Sequence, residues 1–316
     1  MSTKKIAFLF PGQGSQSVGM LNTFSQNQTY INRYKEFSQL LDSVLGEALS
    51  DLISNGPDDA LNLTANTQPA MLFAGYLIYQ AWLQAGGVEP DYVAGHSLGE
   101  YTAIAAAGGL QFHDAIQLVR FRANSMQNAV PVGQGGMAAI IGLEAQTVVD
   151  LCKQVSAEGL LVQAVNFNAP TQIVVAGTQQ GIKALCAVAK QAGAKRALEL
   201  PVSAPFHSSL LKPAADQLKR YLDQVQLQNL RIPLITNVDV IQQTSSVALK
   251  DSLVRQAHNP VRWVETIQYL VDQEVQLFVE CGPGKVLTGL VKRITEVPAV
   301  SISSPESIQE VLQLFE

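Results

Sequence analysis

The segment Gly95-His96-Ser97-Leu98-Gly99 is the part of this sequence whose residue types and spacing best fit a chemical role. It has the form G-x-S-x-G, the nucleophile elbow, in which a serine stands on a sharp turn between a strand and a helix. The apolar run at 92–94 predicts that strand, and residues 100–107 predict the helix. The helix start adds free N–H groups that can stabilise an oxyanion. A serine and glycine turn without chemistry is the alternative, and the strand–turn–helix setting favours the nucleophile.

A serine nucleophile needs a base, and the sequence has four histidines. His207 follows an irregular segment that leaves a predicted strand, and loops in such positions often carry functional groups. We therefore predict that His207 is the base. In α/β-hydrolases an acid lies between the serine and the histidine in chain order, but no aspartate lies between Asp150 and His207. A backbone carbonyl can orient the imidazole instead, which predicts a Ser–His dyad.

Two arginines lie on a mainly apolar helix predicted at 112–126, soon after the serine. Arg120 and Arg122 cannot both face the same way on this helix. An arginine that faces an apolar site needs an anion, and a carboxylate bound in a bidentate manner is its best match. On the local pattern alone, two solvated helix charges are the simpler interpretation.

The loop at 11–16, Pro-Gly-Gln-Gly-Ser-Gln, follows an apolar strand predicted at 6–10. It lacks the third glycine of a dinucleotide-binding fingerprint, because Ser17 stands at that position. We expect this loop to bring backbone N–H groups, such as that of Gln13, close to a ligand.

Strand and helix patterns alternate through the first 129 residues and again after residue 200, which is typical of an α/β fold with a mostly parallel sheet. Long helices are predicted at 29–53 and 67–85, the second with Pro69 in its first turn. Residues 130–200 instead give the order β-α-β-β-α-β, the ferredoxin-like pattern. We therefore predict a core formed by residues 1–129 and 201–316, with a small subdomain inserted at 130–200.

The composition excludes several classes of protein. The 316 residues are 47% hydrophobic and 15% charged, which is enough apolar material for a substantial core. A net charge of −5 without a long basic run argues against nucleic acid as a partner, and no apolar stretch is long enough to cross a membrane. The three cysteines lack C-x-x-C spacing, which argues against disulfides and a cysteine zinc site, so a reducing cytoplasm is the expected location.

Together these motifs closely resemble the malonyl-CoA:acyl carrier protein transacylases of bacterial type II fatty acid synthesis. They are also similar to the acyltransferase domains of polyketide and fatty acid megasynthases. The resemblance implies an α/β-hydrolase-like core with a ferredoxin-like insertion, in agreement with the pattern above. It covers nearly the whole chain and is carried by the segments at 10–16, 67–70, 95–100, 118–122, 165–168, 205–207, 253–256 and 280–285.

The resemblance implies a catalytic role for each matching residue. Ser97 is the acylated nucleophile and His207 is its base. The backbone carbonyl of Gln256 orients His207, which supplies the partner that the missing acid would have given. The backbone N–H groups of Gln13 and Leu98 form the oxyanion hole.

The resemblance also implies the residues that bind the acyl group. Arg122 pairs with the malonyl carboxylate, and Phe206 stands at a position linked to the choice between malonyl and methylmalonyl groups. We expect Met126 and Asn166 to contact the substrate beside them.

The activity implied is transfer of the malonyl group from malonyl-CoA to the phosphopantetheine thiol of acyl carrier protein, by ping-pong catalysis through a malonyl-serine. We expect no bound cofactor and no metal, because phosphopantetheine is carried by the partner protein. The expected partners are acyl carrier protein and malonyl-CoA or CoA, with no nucleic acid and no membrane, and the enzyme is expected to be a monomer. An acyltransferase of a polyketide pathway and a serine thioesterase or hydrolase remain as alternatives.

Overall fold

The computed structural model describes residues 4–202 and 204–315. Two sheets organise this part of the chain. The strands, in chain order, are β1 Ile6–Phe10, β2 Tyr92–Gly95, β3 Gly135–Ile141, β4 Val162–Ala169, β5 Gln172–Thr178, β6 Arg196–Glu199, β7 Leu234–Ile235, β8 Gln242–Gln243, β9 Leu277–Cys281 and β10 Ala299–Ile302.

Helices pack against both sheets. They are α1 Asn22–Gln26, α2 Ile31–Leu45, α3 Leu49–Asn55, α4 Asp58–Leu61, α5 Thr64–Gln84, α6 Gly99–Ala106, α7 Phe112–Gln127, α8 Ala145–Ala157, α9 Gln179–Gln191, α10 Lys212–Leu222, α11 Ser246–Gln256, α12 Trp263–Asp272, α13 Val286–Val291 and α14 Pro305–Leu312. None of the helices in the described residues is long and apolar enough to cross a membrane.

The larger sheet has six strands in the order β10-β9-β1-β2-β7-β8. All neighbours are parallel except the edge strand β8, which pairs antiparallel with β7. The central strand β1 is buried along its whole length, because helices cover both faces of the sheet. Its alternate residues enter different cores: Phe8 and Phe10 pack into one apolar cluster, whereas Ala7 and Leu9 pack into another.

The smaller sheet is antiparallel, with the strand order β4-β5-β3-β6. Helices α8 and α9 connect its strands in the chain order β-α-β-β-α-β, and their apolar residues share one core with the sheet. The predicted α/β class, with a mostly parallel sheet and a ferredoxin-like pattern, is therefore confirmed. The exact division into a core of 1–129 and 201–316 and a subdomain of 130–200 stays a prediction.

Two predicted helix boundaries were wrong. The helix expected at 29–53 is divided into α2 and α3, because Gly46 ends α2 in a left-handed conformation with φ of 68°. The helix expected to begin at Thr67 begins at Thr64, so Pro69 lies inside α5 and not in its first turn. The prediction relied on the preference of proline for helix starts, and the three preceding residues extended the helix in spite of it.

The topology brings three loops to one edge of the larger sheet. Parallel pairing places Phe10, the last residue of β1, beside Gly95, the last residue of β2. It also places Ala94 beside Ile235 at the end of β7. The loops that follow these adjacent strands therefore meet at the carboxyl edge of the sheet, which is where ligands bind in open α/β sheets.

Candidate active site

Ser97 occupies a tight turn between β2 and α6. Its φ is 53°, a left-handed conformation that is uncommon for a residue other than glycine. A Cβ atom at Gly95 would overlap the main chain of Gly99, and one at Gly99 would overlap the carbonyl oxygen of Phe10. The two outer glycines of G-x-S-x-G are therefore required because strand and helix backbones touch at this turn.

His207 lies beside Ser97 and is buried. Its Nε2 is 2.7 Å from the Ser97 Oγ, and its Nδ1 is 2.8 Å from the backbone carbonyl oxygen of Gln256. Because a carbonyl can only accept, Nδ1 carries the proton, and the neutral ring presents the Nε2 lone pair to the serine hydroxyl. Burial, helped by the nearby Arg122 charge, lowers the pKa of His207 to about 3. The imidazole is therefore neutral at physiological pH and able to accept a proton.

Arg122 reaches the same hydroxyl from α7. Its guanidinium donates to the Ser97 Oγ at 3.2 Å, to the Gln68 Oε1 at 2.7 Å and to the Gln256 Oε1 at 2.9 Å. It also lies over the Tyr101 ring, with its Cζ 5.0 Å from the ring centroid. Only 2% of Arg122 is exposed, and burial lowers its pKa, but a guanidinium remains charged. A buried cation is thus held next to the hydroxyl oxygen.

Arg120 has a different environment. It pairs with Glu47 and donates to the side chain of Asn66, on the outer side of the same helix. The sequence did not decide which of the two arginines faces the site. In the structure Arg122 faces the serine and Arg120 faces away from it.

Two fully buried polar side chains connect these groups. The Gln256 Nε2 donates to the Ser97 carbonyl oxygen at 2.7 Å and to the Glu100 Oε2 at 2.8 Å. Glu100 has no exposed surface, and burial raises its pKa to about 7, although hydrogen bonds from Gln256 and Asn237 lower it in part. Gln256 therefore fixes the serine and the arginine through its side chain while its carbonyl holds His207.

A cavity of about 120 Å³ opens above these groups. It joins a wider groove of about 730 Å³ that shares Gln13, Leu200 and Val202 with it. No described residue accepts a hydrogen bond from the N–H of Gln13 or of Leu98, and both residues line the cavity. Eight of the nine residues predicted for the site line this one cavity: Gln13, Ser97, Leu98, Arg122, Met126, Asn166, Phe206 and His207.

The ninth predicted residue, Gln256, lies on the other side of His207, where its carbonyl oxygen contacts the Nδ1 atom.

The other three histidines do not contact the Ser97 hydroxyl in the described residues. The His96 Nε2 is 2.7 Å from the Asn168 Oδ1, and His113 pairs with Asp114. Ser97 is within hydrogen-bonding distance of His207 alone among the histidines, and His258 makes no described contact with it.

Sequence reasoning missed four polar or aromatic residues of this site. Gln68 and Glu100 lie inside the motifs that suggested the family, so their positions were visible, but no role was assigned to them. Tyr101, next to Glu100, supports Arg122. Asn237, which follows β7, contacts the main chain on both sides of His96. No local pattern distinguishes Asn237 from other strand-end asparagines.

Residues 7–307 match the family model for the acyl transferase domain. The chain belongs to the acyl transferase domain family. Its similarity to individual members extends over the whole length. The chain is 45% identical over 312 residues to the malonyl CoA-acyl carrier protein transacylase of Escherichia coli strain K12, and the alignment covers 98% of this chain and 99% of that protein.

Solved structures agree with this membership of the acyl transferase family. The acyl-carrier-protein S-malonyltransferase of Burkholderia pseudomallei is 55% identical, with a TM-score of 0.94 and coverage of 98% of this chain and 99% of that chain. A malonyl-transacylase solved in complex with the holo acyl-carrier protein of a type II polyketide synthase is 42% identical, with the same TM-score and coverage. The geometry around Ser97 therefore belongs to a chain that is similar to acyl transferases over nearly its whole length.

Proposed function

We propose that this protein transfers the malonyl group of malonyl-CoA to the phosphopantetheine thiol of acyl carrier protein in fatty acid biosynthesis. The observation that carries the proposal is the buried Arg122 guanidinium, which lies 3.2 Å from the hydroxyl of Ser97 inside one small cavity. A nucleophile beside a fixed cation suits an acyl group that carries its own carboxylate.

In the first half-reaction the Ser97 Oγ attacks the thioester carbonyl while the His207 Nε2 takes the hydroxyl proton. A bond forms between Oγ and the carbonyl carbon, and the carbonyl electrons move onto its oxygen. The free N–H groups of Gln13 and Leu98 are the donors for this oxyanion. The carbon–sulfur bond then breaks, His207 returns its proton to the sulfur, and CoA leaves with malonyl bound to Ser97.

In the second half-reaction the carrier's phosphopantetheine thiol gives its proton to His207 and attacks the malonyl-serine. The tetrahedral intermediate collapses with return of the proton to the Ser97 Oγ, which releases malonyl on the carrier. The groove that continues the cavity past Gln13 and Leu200 offers room for the thiol arm of either thioester.

The partners proposed are acyl carrier protein and malonyl-CoA or CoA. We also propose that the protein acts in the cytoplasm and as a monomer. No resident cofactor or metal takes part in the steps above, because phosphopantetheine arrives on the partner. Transfer to the carrier protein of a polyketide pathway is the alternative that the similarity to the polyketide-synthase complex keeps open. A serine thioesterase is the other alternative, and the position of Arg122 argues against it.

The fate of the malonyl group tests the proposed function. Enzyme is mixed with malonyl-CoA, and released malonate and malonyl-carrier are measured with and without holo acyl carrier protein. We expect transfer to the thiol to exceed hydrolysis by about 10² or more, because the arm is held against the intermediate. Hydrolysis that equals or exceeds transfer at saturating carrier would identify a thioesterase instead.

Phe206 is the residue that we expect to exclude a branched acyl group. Its ring lines the cavity with Met126, and it is 9% exposed. An added methyl group in a filled pocket is disfavoured by about 1–3 kcal/mol. Phe206→Ser should therefore reduce the preference for malonyl-CoA over methylmalonyl-CoA by roughly 10–200-fold in kcat/KM. An unchanged ratio of the two kcat/KM values would show that another residue limits the pocket.

A further inference from the structure

Asn237 is a fully buried residue that contacts the nucleophile turn from the turn that follows β7. Its Oδ1 accepts from the Ser97 N–H at 2.8 Å, and its Nδ2 donates to the Gly95 carbonyl at 2.7 Å. A single carboxamide therefore connects the main chain on both sides of His96. Since the Ser97 N–H can only donate and the Gly95 carbonyl can only accept, the carboxamide has one possible orientation.

The turn needs external support because Ser97 has a positive φ of 53°. Strained conformations of this kind persist only where the surrounding structure fixes them. Asn237 is not among the residues that line the cavity, so it binds the Ser97 N–H from the side away from the acyl group. Because Asn237 accepts from the Ser97 N–H, the N–H groups without an acceptor at the cavity are those of Leu98 and Gln13 among the described residues.

Asn237 is itself held by neighbouring elements. It follows β7, whose Ile235 pairs with Ala94 of β2, and this parallel register brings it to the turn. Its own N–H donates to the Glu100 Oε1 at 3.3 Å, and its carbonyl accepts from the Arg262 N–H at 3.1 Å. The Asn237 side chain is therefore fixed in place and can hold Ser97 in one position.

We propose that Asn237 is a positioning residue that holds the Ser97 turn in the conformation required for acylation. The inference rests on the proposed function of Ser97 as the acylated group. Asn237 makes no described contact with Arg122 or His207, so its loss should slow acylation without weakening the binding of malonyl-CoA.

Two variants of similar size separate positioning from general stability. Asn237→Leu removes both hydrogen bonds, and Asn237→Asp keeps the acceptor for the Ser97 N–H. The rate and amplitude of malonyl adduct formation are followed by rapid quench and intact mass over a range of malonyl-CoA concentrations. For Asn237→Leu we expect the maximum acylation rate to fall by about 10², the scale of a misplacement of about 1 Å. The half-saturating concentration should change less than about threefold.

The pH profile of Asn237→Asp is a readout that a purely structural role would not move. A protonated carboxyl can donate to the Gly95 carbonyl as the native amide does, whereas a carboxylate repels it. Acylation relative to wild type should therefore rise as pH falls from 9 to 6. Glu100 faces this position, and burial raises its pKa to about 7. Arg122 lies beyond Gln256, and the Asp239–Arg255 pair lies close by. Taking the ratio to wild type at each pH removes the contributions that the two enzymes share. Glu100 and the new carboxyl at position 237 titrate as a coupled pair, so the ratio reports their joint protonation.

Asn66→Asp is the matched control, because the Asn66 amide also donates to a main-chain carbonyl, that of Ala60 at 2.9 Å, but does not line the cavity. It should acylate at the wild-type rate. The inference is overturned if folded Asn237→Leu acylates within threefold of wild type, or if it loses only amplitude. It is also overturned if the leucine and aspartate variants lose equal activity at every pH. Failure of Ser97 as the acylated group is a separate result, because wild type would then carry no adduct on the peptide that contains Ser97.

Discussion

Replacement of Arg122 by alanine should invert the acyl preference of the enzyme rather than reduce all activity equally. Arg122 is 2% exposed and donates to the Ser97 hydroxyl, so a malonyl carboxylate that binds it is paired inside a desolvated cavity. Removal of one partner of a buried pair typically costs about 3–5 kcal/mol. This corresponds to a loss of roughly 10²–10³·⁵ in kcat/KM for malonyl-CoA.

Acetyl-CoA supplies the internal comparison for Arg122→Ala, because it has no carboxylate. The kcat/KM for acetyl-CoA should not fall in this variant. It should rise, because the substitution removes an unpaired cation that disfavours the methyl group of the acetyl substrate. Arg120→Ala is the matched control: the residue lies on the same helix but pairs with Glu47, so both substrates should react at nearly wild-type rates. Equal losses for malonyl-CoA and acetyl-CoA in Arg122→Ala would refute the carboxylate role.

His207→Ala should slow formation of the malonyl adduct by roughly 10²–10⁴, the usual scale for a positioned general base. The imidazole is the group within 2.7 Å of the Ser97 Oγ that can accept its proton. Rapid-quench measurement of adduct formation at saturating malonyl-CoA checks the loss. His258→Ala is the matched control, since His258 makes no described contact with the serine. A large loss in the control and none in His207→Ala would show that the base is misassigned.

The pH dependence of acylation follows from the sign of the His207 shift. A base must be neutral, and a pKa lowered from 6.5 to about 3 extends the neutral range toward acid. Protonation of His207 should therefore reduce acylation only as pH falls toward about 3, not as it falls through 6.5. Nitrogen chemical shifts of labelled His207 should report a neutral ring protonated on Nδ1 at pH 5, and an imidazolium at pH 6 would contradict the assignment.

Local spacing was sufficient to predict the serine turn. The glycines of G-x-S-x-G are demanded by contacts within a few residues, and the strand and helix on either side have clear apolar patterns. His207 was predicted from its loop context, and the structure places it against Ser97. The choice between Arg122 and Arg120 needed the direction of α7 relative to the sheet, which helical periodicity alone left open.

The supporting residues could not be predicted because their contacts depend on strand order. Asn237 reaches Ser97 only because β7 pairs with β2, and these strands are separated by well over one hundred residues of chain. Glu100 on α6 and Gln256 on α11 are 156 residues apart in sequence and meet only in the folded chain. The sequence predicted neither α11, which carries Gln256, nor β10 and α14 at the end of the chain. The buried face of α11 includes the polar residues Ser252 and Gln256, so its apolar pattern is incomplete.

The most direct test of the account is to locate the malonyl group on the enzyme. Wild type and Ser97→Ala are mixed briefly with malonyl-CoA and quenched in acid, and the adduct is measured by intact mass and peptide mapping. We predict one malonyl group per wild-type chain, on the peptide that contains Ser97, which disappears when holo acyl carrier protein is added. Ser97→Ala should fold normally and carry no adduct. A normal malonyl mass shift in Ser97→Ala, or an adduct mapped to another residue of the wild type, would contradict the central claim.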